Sequence, residues 1–185
     1  MAEVTFRTPI CDLLDIRYPI LLAGMGRAAS PELAAAVSNA GGLGVMGAAG
    51  FEPDEIAESI NRVRELTSEL FGVDTLIPIT VPQSGEHDAI QQDIPPTYKA
   101  FAESFRTRHQ LPQVDVKAPV LTQDLYKRQI EVILDMKVPV YVSGLEDPTF
   151  MVDQAHQLGM KVGAVVGATR HARKVTRGAL DFVVA

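Results

Sequence analysis

The residues best able to do chemistry in this chain are few and scattered. The densest group is Gly24-Met25-Gly26-Arg27-Ala28-Ala29, a near match to the G-x-G-x-x-G/A turn. Small residues in such a turn let the backbone approach a phosphate or a flat ring closely. A dinucleotide fold also needs an acidic residue about 20 positions on, to hold a ribose. Residues 45–50 read Val-Met-Gly-Ala-Ala-Gly and carry no acid, so a nicotinamide dinucleotide site is disfavoured. A purely structural tight turn remains open, as does a surface for a planar cofactor.

A general base must come within hydrogen-bond reach of the proton it removes. His87 and His109 fall in a polar stretch and read as surface residues. His156 lies four residues after Val152 on a helix, at or near its packing face. His171 stands among Arg170, Arg173 and Lys174, which reads first as a solvated basic face and second as a phosphate attractor. None of these is named as a catalytic base. Cys11, the single cysteine, reads as a small buried residue, and no Cys/His group has zinc spacing.

These residues must be positioned by repeated strand–helix units, because short apolar runs alternate with amphipathic stretches. The spacing predicts strands at residues 20–23, 43–46, 71–77, 138–142, 161–166 and 181–185. Ser30-Pro31-Glu32 opens a helix with an N-cap serine, a first-position proline and an acid at the positive dipole end. Its expected stripe is Leu33, Val37 and Ala40. The next helix begins near Pro53 with Ile56, Ile60, Val63 and Leu66 inward. Asp147-Pro148 opens a later one, with Met151, Val152, Ala155 and Leu158 inward. Gly41, Gly159 and Gly178 each end a helix before a strand, a weak internal repeat.

Strand starts are about 20 to 28 residues apart, a βα-unit length, except across one gap. Residues 83–116 form a polar insertion after the third strand, with Gln83, Gln91, Gln92, Pro95, Pro96 and Pro112. Helices are expected at residues 98–108 and 122–136. Loops after strands often build substrate pockets, so the insertion shapes a pocket or is a solvated excursion. Six parallel strands fit either a doubly wound sheet or a (β/α) barrel lacking two strands, and periodicity does not choose.

The bulk properties narrow the class. At 46% hydrophobic and 22% charged residues, the chain is an ordinary globular protein of one domain. A net charge of -6 argues against nucleic acid or an anionic membrane as partner. The opening Met1-Ala2-Glu3-Val4 lacks a signal-peptide pattern, and no apolar run reaches the roughly 20 residues of a membrane span. The expected location is cytoplasmic.

Ordered motifs then point to a family. Thr8-Pro-Ile-Cys-Asp-Leu-Leu, Tyr18-Pro-Ile-Leu-Leu-Ala-Gly-Met25 and Pro31-Glu-Leu-Ala-Ala-Ala-Val-Ser-Asn-Ala-Gly-Gly-Leu-Gly44 resemble the opening of the nitronate monooxygenase (2-nitropropane dioxygenase) family. Phe71-Gly-Val-Asp74, Val142-Ser-Gly-Leu-Glu-Asp-Pro148, Gly159-Met-Lys-Val162 and Thr169-Arg-His-Ala-Arg173 continue the likeness. The insertion is its weak part.

The resemblance implies an FMN-dependent eight-stranded (β/α) barrel that oxidises alkyl nitronates with O2. Its relatives include FMN-dependent enoyl-acyl-carrier-protein reductases, so an enoyl thioester reduced by a nicotinamide donor is the alternative substrate. By the same resemblance, Ala23, Gly24 and Met25 lie along the flavin, Asp74 contacts the ring, and Ser143 and Gly144 sit at its edge. Asp74 stands where the family commonly has asparagine, and a carboxylate only accepts hydrogen bonds whereas an amide also donates. The family's catalytic histidine falls in a segment expected after Ala185, as do the seventh and eighth strands. The 185 residues are therefore expected to form an incomplete TIM-type barrel, inactive alone, with self-association through open sheet edges. A non-catalytic truncated chain is the remaining reading.

Overall fold

The alternation of apolar runs and amphipathic stretches builds a five-stranded parallel sheet in sequence order, β1-β2-β3-β4-β5. The computed structural model describes residues 6–78, 81, 83, 94–113 and 120–185. The strands are β1 (Gly44–Gly47), β2 (Phe71–Leu76), β3 (Val140–Gly144), β4 (Lys161–Val165) and β5 (Phe182–Val184). The helices are α1 (Pro9–Leu14), α2 (Pro31–Asn39), α3 (Pro53–Leu66), α4 (Pro96–Arg108), α5 (Gln123–Asp135), α6 (Thr149–Gln157) and α7 (Thr169–Val175). Each strand pairs with its successor, so the order never reverses and offers no doubly wound switch point.

The expected first strand, residues 20–23, is not a strand. Leu21 makes only an isolated parallel bridge to Leu43, where Leu22 N–H donates to the Leu43 carbonyl at 2.9 Å and Leu43 N–H to that of Ile20 at 2.9 Å. Pro19 lacks an N–H on one side, and the glycine turn at Gly24 leads the chain away on the other, so the pairing stops at this one bridge. Six expected strands thus become five.

Period-two burial divides the sheet into two faces. Met46, Phe71, Val73, Tyr141 and Val162 meet Ala34, Ile56, Ile60, Ile133 and Met151 of the surrounding helices. Val45, Val140 and Val142 face the other way, toward Cys11 and Leu14 of α1. That six-residue helix was not foreseen, and it buries Cys11 as expected.

The α3 stripe appears as read, with Ile56, Ile60 and Val63 fully buried and Leu66 packed beside them. Met151, Val152 and Ala155 of α6 are buried, with Leu158 at their margin. The α2 stripe differs. Ala34, Ala35 and Ser38 are buried, whereas Leu33 is 39% exposed and Ala40 is exposed. Small residues win because α2 lies directly on β1: a methyl at Gly44 would overlap the Ala34 backbone. Ser38 completes the joint, donating to the Leu70 carbonyl at 2.8 Å and accepting from Gly44 N–H at 3.0 Å.

The Ser30 cap forms, its oxygen accepting from Leu33 N–H at 3.4 Å. Gly41 and Gly159 take the positive φ expected of helix-ending glycines. Gly178 does not; Ala179 carries the left-handed turn at φ 58°, and Gly178 instead makes room for Thr149. In the insertion, α4 buries none of its residues, while Gln91, Gln92 and His87 lie outside the described residues. No helix among the described residues is long and apolar enough to cross a membrane.

Candidate functional site

Parallel strands bring their carboxyl ends to one edge of the sheet, where the following loops converge. At that edge β2 presents Asp74 on the face opposite the α2, α3 and α5 layer, in register with Gly47 of β1 and Val142 of β3. The row continues through Gly163 of β4 to Phe182 of β5. Gly24 lies against the Asp74 carboxyl so closely that a methyl at position 24 would overlap it. Gly47 gives the same room to Gly26, and Gly163 to the Phe182 ring. Glycine backbone therefore makes up much of the surface around Asp74, with Val142 beside it.

Asp74 is 8% exposed, and no described hydrogen-bond donor or cation offsets its burial. Loss of hydration alone raises its carboxyl from 3.8 to about 7. Beneath it, on the helix face, the Tyr141 hydroxyl and Thr75 Oγ1 are 2.9 Å apart. Burial drives the Tyr141 phenol well above its ordinary range; the Thr75 hydrogen bond opposes this and the Asp74 charge adds to it.

The loop over Asp74 is tethered from outside. The Arg27 guanidinium sits 4.6 Å over the Phe51 ring and pairs with Glu55 at 2.6 Å. The Phe51 segment is held in turn by Gln129 of α5, whose amide donates to the carbonyls of Phe51 at 2.7 Å and Ala49 at 3.2 Å. Sequence reasoning missed both residues. Gln129 left a readable signal, being a polar residue in helical register between Leu125 and Ile133, which are both buried.

The structure brings together some of the expected residues and separates others. Ala23 and Met25 are exposed beside Gly24, with Met25 at 50%. Gly144 packs on Leu76, and its carbonyl accepts from Ile77 N–H at 3.0 Å. Ser143 points to the helix face instead: fully buried, its hydroxyl donates to the Glu146 carbonyl at 2.7 Å. Its side chain shapes the β3–α6 turn and is turned away from Asp74. That turn also holds Leu145 at φ 72°, with its side chain 66% exposed. A groove of about 510 Å³ runs beside it, lined by Leu145, Val165, Val166, His171 and Lys174.

No described histidine reaches Asp74's surface in hydrogen-bonding position. His109 is exposed next to Phe105, and His171 is exposed on α7. His156 Nε2 is 2.9 Å from Asp181 Oδ2, at the helix edge. Among the described residues, no group of His, Cys, Asp and Glu could hold a metal ion.

The family model described as nitronate monooxygenase matches residues 7–185. The chain belongs to the nitronate monooxygenase family. A probable nitronate monooxygenase of Staphylococcus aureus (strain JH9) is 29% identical over 178 residues, covering 95% of this chain and 47% of that protein. One from Staphylococcus saprophyticus is 27% identical, covering 96% and 48%. Among solved structures, nitroalkane oxidase from Streptomyces ansochromogenes superposes with a TM-score of 0.72 at 26% identity, over 96% of this chain and 48% of that one. FabK from Thermotoga maritima (M276A mutant) gives 0.70 at 30% identity, over 97% and 46%. This nitronate monooxygenase family chain thus spans about half the length of the curated relatives it matches.

Proposed function

We propose that this chain supplies the flavin-holding surface of a nitronate-oxidising enzyme, built on an incomplete (β/α)8 barrel over residues 1–185 with residues 83–116 as an insertion. One observation carries the reading: a glycine-backed surface surrounds the buried Asp74 at the carboxyl ends of the strands, in a chain matched to the family over residues 7–185. Such a surface fits a flat aromatic ring with a polar edge better than a flexible chain. In-order parallel strands, with the helices that connect them layered on one face, support the barrel.

The cofactor in this reading is FMN, which when bound accepts electrons from an alkyl nitronate and passes them to O2. The chain's own residues position it. Gly24 and Gly47 let the glycine turn settle onto the strand ends, Ala23 and Met25 cover the ring, and Asp74 meets its polar edge. Gly144 and the Ser143 backbone end the strand at its rim. Arg27 and Gln129 hold the covering loops in place. The proposed partners are a small-molecule nitronate and O2, in a cytoplasmic setting. A further copy of the chain could pair with the outer edge of β5, which pairs only with β4 among the described strands.

The test is the visible absorbance of the purified chain before and after FMN is added. Bound flavin with bands shifted from free FMN is the expected result, and O2-dependent nitronate oxidation is then assayed. No bound flavin at high FMN concentration would overturn the reading for this chain.

A further inference from the structure

An ionised carboxylate held without partners in a dry site carries a large desolvation cost, and protein sites usually relieve it by neutralising the group. Asp74 approaches that position: it is 8% exposed, and no described donor or cation meets its carboxyl. The neighbouring strands face it with Gly47 and Val142, and the overlying loop with Gly24. Arg27, the cation of that loop, is engaged by Glu55 and Phe51. Lys161 of β4 and His156 of α6 are engaged by Asp181. Tyr141 points to the other face, its hydroxyl bound to Thr75. Among the described residues no charge therefore compensates an Asp74 carboxylate, and burial pushes the group up to about 7.

We propose that Asp74 acts as a neutral carboxylic acid, recognising the imide or lactam edge of a planar ligand, and that its ionisation switches this recognition off. The proposal rests on the flavin reading, since the flavin pyrimidine ring has such an edge. A neutral carboxyl offers an O–H donor beside a C=O acceptor, whereas the ionised form only accepts. An imide presents the complement, an N–H beside a C=O, so two parallel hydrogen bonds form. The carboxylate can meet the N–H, but it sets its second oxygen against the ligand's carbonyl oxygen. Gly24 keeps the carboxyl in place, because any side chain there would occupy its volume.

Riboflavin is the probe, as it has the ring and no phosphate to titrate. Its affinity for the intact chain is measured by fluorescence quenching from pH 6 to 9 for wild type and Asp74→Asn. The Asp74 carboxyl carbon is followed by NMR of the ligand-free wild type, which needs no variant to fold. The proposal expects an Asp74 midpoint near neutrality and affinity weakening about tenfold per pH unit above it. Asp74→Asn keeps a donor and an acceptor at every pH, so its affinity stays level. A flavin methylated at N3, lacking the imide N–H, binds weakly to both. An ordinary carboxylate midpoint, or an undiminished pH dependence in Asp74→Asn, overturns this proposal and leaves the flavin reading standing. A neutral midpoint with no riboflavin or FMN bound at any pH overturns both.

Discussion

Strands β1 to β3 and strands β4 to β5 share one sheet, but different forces hold them. In β1 and β3 every residue is buried, and in β2 all but Leu76, between the α2, α3 and α5 layer on one side and α1 on the other. At the other end Val165, Val183 and Val184 are 47%, 37% and 40% exposed. What fastens β5 there is polar: Asp181 accepts from Val162 N–H at 2.8 Å and Lys161 Nζ at 3.1 Å, with His156 Nε2 at 2.9 Å. β1 to β3 are packed on both faces and β4 still buries Val162 and Ala164, whereas β5 relies on its ladder to β4 and on the Asp181 carboxylate. The candidate site lies on the packed side, which leaves Asp74 largely shielded from water.

The comparison breaks most readily in the core. Ile133→Ala empties a fully buried position between α5 and the sheet and is expected to cost about 2–5 kcal/mol. Denaturant unfolding followed by circular dichroism measures it. A loss below about 1 kcal/mol would mean that the packed region does not carry the stability assigned to it.

Much of the packed region could be read from the sequence, because its signals are local. Ile56, Ile60 and Val63 mark one face of α3 by spacing, and Ser30 marks the start of α2 by its chemistry. The α2 stripe failed because hydrophobicity favoured Leu33 and Val37, whereas the requirement was close approach, which alanine meets best against Gly44. The six residues of α1 are too few for periodicity to register. Residues 20–23 are as apolar as a strand, but strand formation also depends on neighbours that the spacing does not encode. In the site, the glycine turn was visible and so was its departure from a dinucleotide motif. That Gly24 lies on Asp74 was not, since 50 positions separate them in sequence. The altered acidity of Asp74 arises from burial, a tertiary property, and so no motif announces it.

The two aspartates sharpen the comparison through pH, with opposite signs. Asp74 is raised on folding, so its contribution is complete below the ordinary carboxylate value and is lost as pH rises toward about 7. Desolvation would raise Asp181 as well, but hydrogen bonds from the Val162 N–H, His156 and Lys161 outweigh it and hold the carboxyl below its usual value. Its contribution is present above the ordinary value and lost as pH falls through the lowered one. Acid should therefore loosen β5 while β1 to β3 hold. Asp181→Asn is expected to cost about 1–2 kcal/mol at neutral pH, an amount typical of lost charged hydrogen bonds, and nearly nothing in strong acid. Amide exchange at Val162 and Val183 against that at Val73 resolves the two regions. Equal acceleration in both would show that the sheet opens as one unit.

The smallest effect is expected at the exposed end, with Val184→Thr. The side chain is already 40% exposed, and threonine has nearly the same shape and retains strand preference. Stability should change by less than about 0.5 kcal/mol, an order of magnitude below the effect at Ile133. Association is where this substitution should register. An exposed apolar strand edge is a template for another strand, and a hydroxyl on its solvent side weakens the apolar part of that contact. Sedimentation at high protein concentration is expected to show oligomers for the wild type and fewer for Val184→Thr. A wild type that stays monomeric would show that the exposed valines do not recruit another copy, and the contrast between the two ends of the sheet would then be one of stability alone.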